Sequence, residues 1–568
     1  MDPFIDFGRE IYIPWRILSG EHPGRDFIHP YGPLSVYFNA GLFAVFGVSI
    51  RTLVGANLAI FAVIVVGLFT LVRRSFGFLP AVVATLVCIA VFGFPHYWGV
   101  NNYTYAAPYS HEATHGMLLL IGLLVWLGRP RFMGDVRDGL VAGGLCGLGC
   151  LTKTEYVVVA AALWVLATVR VARAGQRLGP WWAGGCAGYA AIFASAWLLL
   201  SSVVGPVVAL KSATNAVTAP FRFRAYSTST HVLHFLGADH PLENFQTIAR
   251  WSGSTIGVFA ALVILALVAG RTRQRTVVVG CAALGLGLAG WVAWRVDWVF
   301  CGSAFPILLV IGATLLGRNL WKFGIGPARP GGGRRWNELL HFVAAIGLLA
   351  RMAFDPTISH YGFFQAMLAG TWLCGFLLGE FPALGRSATA QAMLRGWLAA
   401  VIGIGAVTLV LRSRQFYAVK QTSMGEGGDR ILGFDPKVYA LPEMWERIRQ
   451  HIANTTAASA SVLVIPEGLT INYWTRRKHP LPVTDLLPAT LALANPPVTE
   501  ALMTSPPDVV VLVSRNMGEF GFASYGQDDE TRRLLEWVSS RYAVERTEGG
   551  QPFAPPNLGV WVLRLKSQ

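Results

Sequence analysis

Charged residues are scarce in this chain: they make up 14% of its 568 residues, against roughly 25% in a soluble globular protein. That deficit, together with 54% hydrophobic residues and a mean hydropathy of +0.49, excludes an ordinary soluble protein. The alternation of apolar and polar residues that marks a membrane β-barrel is also missing. The apolar residues come instead in long runs. In lipid, where backbone groups must pair internally, such runs must be helices. The hydrophilic C-terminal part has no cysteine. All seven cysteines, Cys88, Cys146, Cys150, Cys186, Cys281, Cys301 and Cys374, lie in or beside apolar segments. Disulfides are therefore not expected, and each cysteine reads as a small apolar residue. There is no repeat at a fixed period. The C-terminal part also lacks a Gly-rich phosphate loop, so nucleotide binding is not indicated.

The apolar runs fall near 51–72, 78–94, 113–128, 138–152, 154–172, 182–204, 251–270, 276–294, 297–317, 337–355, 362–382 and 394–411. The stretch 138–172 is broken only by Thr152-Lys153-Thr154-Glu155. It is too long for one span of about 20 residues, so it turns at that tetrad. The net charge of +15 sits in alternate loops: Arg73-Arg74, then Arg129, Arg131 and Arg137, then Arg170, Arg173 and Arg177. It continues with Arg271, Arg273 and Arg275, then Arg318, Lys322, Arg329, Arg334 and Arg335, and ends with Arg386 and Arg395. The opposite loops 95–112 and 356–361 have no Lys or Arg. This positive-inside bias puts the first set in the cytoplasm. It leaves 1–50, 95–112, 152–155, 205–250, 356–361 and 412–568 on the outer side. The basic balance thus reports topology and indicates no nucleic-acid partner.

The run 34–48 would invert every later loop if it crossed, so it reads as an interfacial helix. An outer N-terminus with no span before it leads to the expectation that a first span precedes Met1 in the native reading frame. The stretch Gly324–Arg335, rich in Gly, Pro and Arg, reads as a flexible cytoplasmic loop. Beyond 411 the pattern changes. Strand-like runs at 461–465, 509–513 and 560–563 alternate with helix-like segments near 442–454 and 528–541. The expected fold is therefore an all-α polytopic membrane protein of about twelve spans over 51–411. An outer segment 1–50 precedes it, and a C-terminal α/β soluble domain, 412–568, follows. Pro466-Glu467-Gly468 and Asn472-Tyr473 follow a strand, where binding loops occur. Their composition favours plain turns.

Polar groups gather on the outer side in four places. The first holds Asp6, Arg9 and Glu10, with Glu21, Arg25, Asp26 and Tyr31 further on. Asp6 and Glu10 share a face on a helix. A carboxylate beside apolar walls can act as a base, and a solvated segment with an Asp–Arg pair is the plainer reading. The second, 95–116, holds Asn101, Asn102, Tyr103, Tyr105, Tyr109, His111, Glu112 and His115. Asn and Tyr suit hydroxyl-rich ligands, and an aromatic belt at the bilayer edge also explains them. Within it, His111-Glu112-Ala113-Thr114-His115 matches the H-E-x-x-H pattern. On a helix the two histidines can bind zinc with Glu112 as base. No third ligand is evident, and so short a pattern often arises by chance. The third is Lys153 with Glu155, either cavity-facing or an internal ion pair. The fourth is Arg351, Asp355, His360 and Tyr361. Arg351 and His360 are placed there to hold an anionic head group, or Arg351 only snorkels.

Several of these residues form a pattern. Asp6-Phe7-Gly8-Arg9-Glu10, Gly20-Glu21, Asp26 and Tyr31-Gly32-Pro33-Leu34 resemble the first outer loop of membrane glycosyltransferases of the GT-C fold. The nearest likeness is to the protein mannosyltransferase and aminoarabinose transferase branch. Arg73-Arg74-Ser75-Phe76-Gly77 and Leu151-Thr152-Lys153 resemble two further family motifs. The resemblance covers roughly 1–160, the rest following by topology. Two departures stand out. The family's first span is absent, and Phe7 replaces the acid that the family pairs with its catalytic Asp. This leaves the roles of Glu10, Asp26 and Glu112 to be placed.

The resemblance implies inverting transfer of a sugar from a polyprenyl-phosphate donor to a lipid, glycan or protein acceptor at the outer face of the plasma (inner) membrane. Asp6 would be the general base, with Glu10 and Asp26 as further catalytic acids. Lys153, Arg351 and His360 would hold the donor phosphate. Tyr103, Tyr109, His111, Glu112, Glu155 and Tyr361 would line the substrate site. No cofactor is required, and a divalent metal at His111 and His115 is compatible but not indicated. Two other functions fit the residues alone. A lipid or polysaccharide transporter should show internal repeats and midplane charges. A membrane metalloprotease needs His111 and His115 to bind zinc.

Overall fold

A computed structural model describes residues 4–566 apart from 100–101, 223–232, 234–235, 324–331, 353 and 492–497. Asn101 and most of the loop expected at 324–335 lie outside the described residues.

Two helices come first, α1 (Phe7–Leu18) and α2 (Leu34–Phe46). The membrane part follows as α3 (Ile50–Phe76), α4 (Phe78–Val87, continued by a π turn to Gly93), α5 (His111–Leu127), α6 (Val136–Cys150), α7 (Thr154–Arg173) and α8 (Leu178–Val204). Short helices α9 (Pro206–Ala213) and α10 (Asn215–Arg222) lead to α11 (Pro241–Arg271), α12 (Arg275–Arg295), α13 (Phe305–Phe323), α14 (Gly332–Leu349), α15 (Met367–Gly379) and α16 (Ala388–Ala418). Every expected apolar run overlaps one of these helices. Among the described residues, eight helices are long and apolar enough to cross a membrane. The protein is thus an integral, multi-pass membrane protein.

Local chemistry sets the boundaries. Ser49 caps α3 by accepting the Thr52 N–H at 3.2 Å, and Asp135 caps α6 through the Asp138 N–H at 2.8 Å. Helix α3 stops at Gly77, whose φ of 96° only glycine adopts freely. Helices α6 and α8 meet along Gly139, Gly143, Gly184, Gly185 and Gly188. At four of these a Cβ would run into the facing backbone, and at Gly185 into the Trp164 ring. The Arg-rich ends gather together. Arg74 donates to the Val125 carbonyl (3.0 Å) and Arg334 to the Ser75 carbonyl (2.6 Å).

The C-terminal part holds a hairpin of β1 (Lys420–Met424) and β2 (Ile431–Phe434). Helix α17 (Leu441–Thr455) precedes a four-stranded sheet of β3 (Val462–Ile465), β4 (Val509–Val513), β5 (Tyr542–Gly549) and β6 (Gly559–Leu565), in the order β3-β4-β6-β5. Strands β3 and β4 are parallel and the other pairs antiparallel. The short α18 (Leu469–Thr475) follows β3. Helix α1 is amphipathic toward this sheet. Phe7, Ile11 and Tyr12 share a core with Trp445, Val462, Val464, Val509 and Val562. Gly8 lies so near Thr470 that a Cβ there would clash with its backbone nitrogen. Polar contacts complete the joint: the His479 N–H donates to Tyr12 Oη (2.7 Å), the Ile28 N–H to the Pro482 carbonyl (2.7 Å), and the Ile50 N–H to Asp429 Oδ1 (2.8 Å).

The segment before α2 is tied to the turn between α6 and α7. The Gly32 N–H donates to the Thr152 carbonyl at 2.8 Å and the Leu34 N–H to the Leu151 carbonyl at 3.0 Å. A Cβ at position 32 would overlap the Leu151 carbonyl. Gly32→Ala is therefore expected to cost about 1–3 kcal/mol and to lower the melting midpoint of the solubilised protein. Gly149→Ala, where a Cβ meets nothing within 4 Å, is the control and should leave the midpoint unchanged or raised.

Candidate active site

Asp6 immediately precedes α1 and faces two partners. Tyr361 Oη donates to Asp6 Oδ2 at 2.9 Å, and Arg9 Nη1 lies 3.4 Å from Oδ1. Arg9 also reaches Glu10 Oε1 (3.3 Å) and the Tyr109 carbonyl (3.3 Å). The two carboxylates differ in access: the Asp6 side chain is 24% exposed and that of Glu10 only 5%. Of the two, Asp6 is the more open. Both Glu10 oxygens are engaged, since Oε2 accepts the His111 N–H (2.7 Å) and Nδ1–H (2.8 Å). Burial pushes the Glu10 carboxyl above its ordinary range, against the pull of Arg9 and the His111 N–H.

His111 is locked. Its Nδ1 donates to Glu10 while Nε2 accepts from Asn57 Nδ2 at 3.1 Å, which fixes the Nδ1–H tautomer. The two histidines of the His-Glu-x-x-His pattern do face the same way, with ring centroids 6.2 Å apart. They do not offer a ligand pair, because both His111 nitrogens are already bonded. His115 uses Nδ1 toward Ser35 Oγ (2.9 Å). Among the described residues, no group of three or more His, Cys, Asp or Glu is arranged to hold a metal ion.

The second cluster is built on Glu155. Its Oε1 accepts from Arg351 Nη1 at 2.9 Å and Gln365 Nε2 at 2.8 Å, and Lys153 Nζ stands 3.6 Å away. Tyr31 joins the two clusters: Lys153 Nζ lies 4.8 Å from its ring centroid and the Arg9 guanidinium carbon 5.9 Å. Tyr361 stacks on Tyr109 with centroids 3.8 Å apart, and Tyr109 Oη donates to the Tyr361 carbonyl. Tyr103 stacks on Phe364 at 3.8 Å and bonds Thr114, so it is part of the wall. His360 Nδ1 accepts the Gly362 N–H at 2.8 Å within its own turn.

Asp26 stands apart from these clusters. Its Oδ2 accepts the His22 N–H at 2.7 Å and pairs with Arg25 at 2.8 Å, and Arg25 holds the Val203 and Gly20 carbonyls. None of these contacts reaches Asp6 or Glu10, so the structure does not bring Asp26 together with the other two acids. Asn472 is a fully buried tie, donating to the Val462 carbonyl at 2.8 Å. The sequence reading missed Gln365, which sits in an apolar run without a polar neighbour, and His29, which no motif includes.

It also missed what Glu467 does. Glu467 bonds Arg515 Nε at 2.5 Å, and Asp6 is among the charges it feels. Burial pushes its carboxyl up to about 8 despite Arg515. A carboxyl whose folded value lies above its ordinary 4.5 contributes stability that is complete below that value. The contribution is lost as pH rises through about 8. The melting midpoint is therefore expected to fall as pH rises from about 4.5 to about 8 and to level off above that, and Glu467→Gln to flatten that slope.

No protein-family model and no curated protein sequence matches this chain. Solved structures do. The Archaeoglobus fulgidus oligosaccharyltransferase in complex with Zn and sulfate aligns over 98% of this chain and 69% of its own, with 13% identity and a TM-score of 0.51. The archaeal oligosaccharyltransferase AglB from Archaeoglobus fulgidus, in complex with an inhibitory peptide and a dolichol-phosphate, aligns over 98% and 70%, at 12% identity and a TM-score of 0.49. ArnT from Cupriavidus metallidurans bound to undecaprenyl phosphate aligns over 98% and 93%, at 14% identity and a TM-score of 0.38. At such identity the likeness concerns the fold alone. That fold is the one of the GT-C membrane glycosyltransferases.

Proposed function

We propose that the protein is an inverting glycosyltransferase. It moves a hexosyl or pentosyl group from a polyprenyl-phosphate donor to a hydroxyl, or amine, of a lipid, glycan or protein acceptor at the outer face of the membrane. One observation carries this reading: the open carboxylate of Asp6 is joined through Arg9 and Tyr31 to the cations Lys153 and Arg351. A base and a phosphate cradle at neighbouring positions are what such a transfer needs, and the GT-C fold supports it.

In the transfer, Asp6 takes the acceptor O–H proton. The oxygen forms a bond to the anomeric carbon from the face opposite the phosphate. The bond from that carbon to the phosphate oxygen breaks, and its electron pair leaves with polyprenyl phosphate, toward Lys153 and Arg351. His360 is a third candidate for the phosphate. Glu10 is a positioning residue, since it acts through Arg9 and His111. The chemistry demands no cofactor, and a divalent ion is compatible with it.

The test uses the full chain in proteoliposomes supplied with radiolabelled polyprenyl-phosphate sugars and a membrane extract as acceptor source. Label should leave the lipid and appear in product with inverted anomeric configuration. Label that stays on every lipid offered, or product with retained configuration, would overturn the proposal.

A further inference from the structure

Buried polar atoms are almost always hydrogen-bonded, so those left without a partner need an explanation. Such atoms occur on three residues around His111: Glu112, His29 and His115. Glu112 is 1% exposed; its Oε2 accepts from Ser110 Oγ at 3.0 Å, but Oε1 has no hydrogen-bond partner. His29 is 6% exposed, and its Nε2 stands 3.5 Å from that Oε1 without bonding to it. His115, three residues after Glu112 on α5, leaves Nε2 without a partner while Nδ1 meets Ser35. A free carboxylate oxygen accepts from two donors, and an imidazole nitrogen beside it adds a second polar contact.

The position of these atoms is informative. His29 packs edge-on against Tyr31, with centroids 5.7 Å apart, and Lys153 lies over the same ring. The order from the phosphate cradle inward is therefore Lys153, Tyr31, His29, Glu112. Tyr31 offers an apolar wall one group away from the cations, and beyond it come the orphaned atoms. A sugar ring attached to a phosphate has this same sequence of chemistry: anion, C–H face, then hydroxyls. The charges around His29 are the carboxylates of Glu112 and Glu10 and the guanidinium of Arg9; Arg9 is already paired with Asp6 and Glu10, which leaves the Glu112 carboxylate to repel a sugar acid.

We propose that Glu112 Oε1, His29 Nε2 and His115 Nε2 form the subsite for the donor's sugar ring. The sugar it takes presents hydrogen-bond donors there, hydroxyl or ammonium, and not a carboxylate. The inference rests on the transferase reading above. It makes Glu112 and His29 specificity-determining residues, with no part in the proton transfer.

The test is a binding measurement on the full chain in nanodiscs. The probes are undecaprenyl phosphate and its glucose, glucosamine and glucuronic acid esters. The wild type should bind the glucose or glucosamine ester about tenfold to hundredfold more tightly than the bare phosphate, the range for hydrogen bonds to a charged group. The glucuronic acid ester should gain nothing. Glu112→Gln and His29→Asn should shrink that advantage, Glu112→Ala should abolish it, and all three should leave bare undecaprenyl phosphate binding unchanged. Whichever of glucose and glucosamine gains more tells hydroxyl from ammonium. Equal loss for bare and sugar-bearing lipid, or a glucuronic acid ester bound as tightly as the glucose ester, would overturn the inference while leaving the transferase reading intact. If no lipid binds the wild type, both fall. Glu112→Gln keeps the side-chain volume, so it carries the test if Glu112→Ala does not fold.

Discussion

Asp6→Asn is expected to lower the rate of sugar transfer by about 10²–10⁴-fold, the range for loss of a positioned general base. Asn keeps the shape of Asp, and its Oδ1 can still accept from Tyr361 Oη. The site should therefore remain assembled and the KM for the donor nearly unchanged. Only the ability to take the acceptor proton is lost. Glu10→Gln is the informative contrast. Glu10 is shut away from substrate by Arg9 and His111, so its loss should act by disturbing Arg9, with a smaller fall in kcat and an altered melting midpoint. Tyr361→Phe removes one hydrogen bond to the Asp6 carboxylate and should cost what a single bond to a charged group contributes, about 1.5–3 kcal/mol, without abolishing proton transfer. The measurement is transfer of label from a polyprenyl-phosphate sugar, with kcat and KM separated. Asp6→Asn as active as wild type would remove Asp6 from the mechanism and leave the acceptor proton without an acceptor.

Much of the fold is legible in the chain because lipid leaves few solutions. Continuous apolar runs can only be helices, and each of the runs read from the sequence overlaps one. The break at Thr152-Lys153-Thr154-Glu155 marks the joint between α6 and α7, since two charges inside a hydrophobic stretch must face something. Strand β5, Tyr542–Gly549, escaped notice because it is an edge strand carrying Glu545, Arg546 and Glu548. Such charges protect an edge and hide the apolar alternation.

The site was legible only in pieces. The spacing of Asp6 and Glu10 put them on one helix, and the spacing of His111 and His115 put them on another. No local rule shows that Glu10 would claim both the backbone and ring N–H of His111, or that Asn57 from α3 would take the other nitrogen. Those bonds decide that the two histidines are not a ligand pair. Asp26 illustrates the same limit: no local rule shows that the neighbouring Arg25 and the His22 N–H would engage an acid of this outer loop. The role of α1 as part of the C-terminal core was equally hidden. Phe7, Ile11 and Tyr12 form an apolar face, but the sheet they meet lies more than four hundred residues further along the chain.

Arg351→Gln is expected to reduce kcat by about 10²–10³-fold, the typical effect of removing one preorganised donor to charge that develops in the transition state. The charge here is on the departing phosphate. Arg351 is held in place, since Glu155 Oε1 gathers Arg351, Gln365 and Lys153 around one atom. A guanidinium pinned by one carboxylate oxygen still has donors left to offer a second anion. Arg351→Lys should recover part of the rate, because it restores charge but not the planar fork. Lys153→Met should behave like Arg351→Gln with a weaker hold on bare polyprenyl phosphate as well, since Lys153 lies over Tyr31 at the junction of the two clusters. Glu155→Ala tests a different quantity. It would strand the buried Lys153 and the partly buried Arg351, at a stability cost of up to about 3–5 kcal/mol, and so should show as loss of folded protein. A cation variant that keeps its melting midpoint and loses its rate therefore reports chemistry. Were Arg351→Gln and Lys153→Met both to retain wild-type kcat, the phosphate would have to be held elsewhere, and His360 would be the next residue to replace.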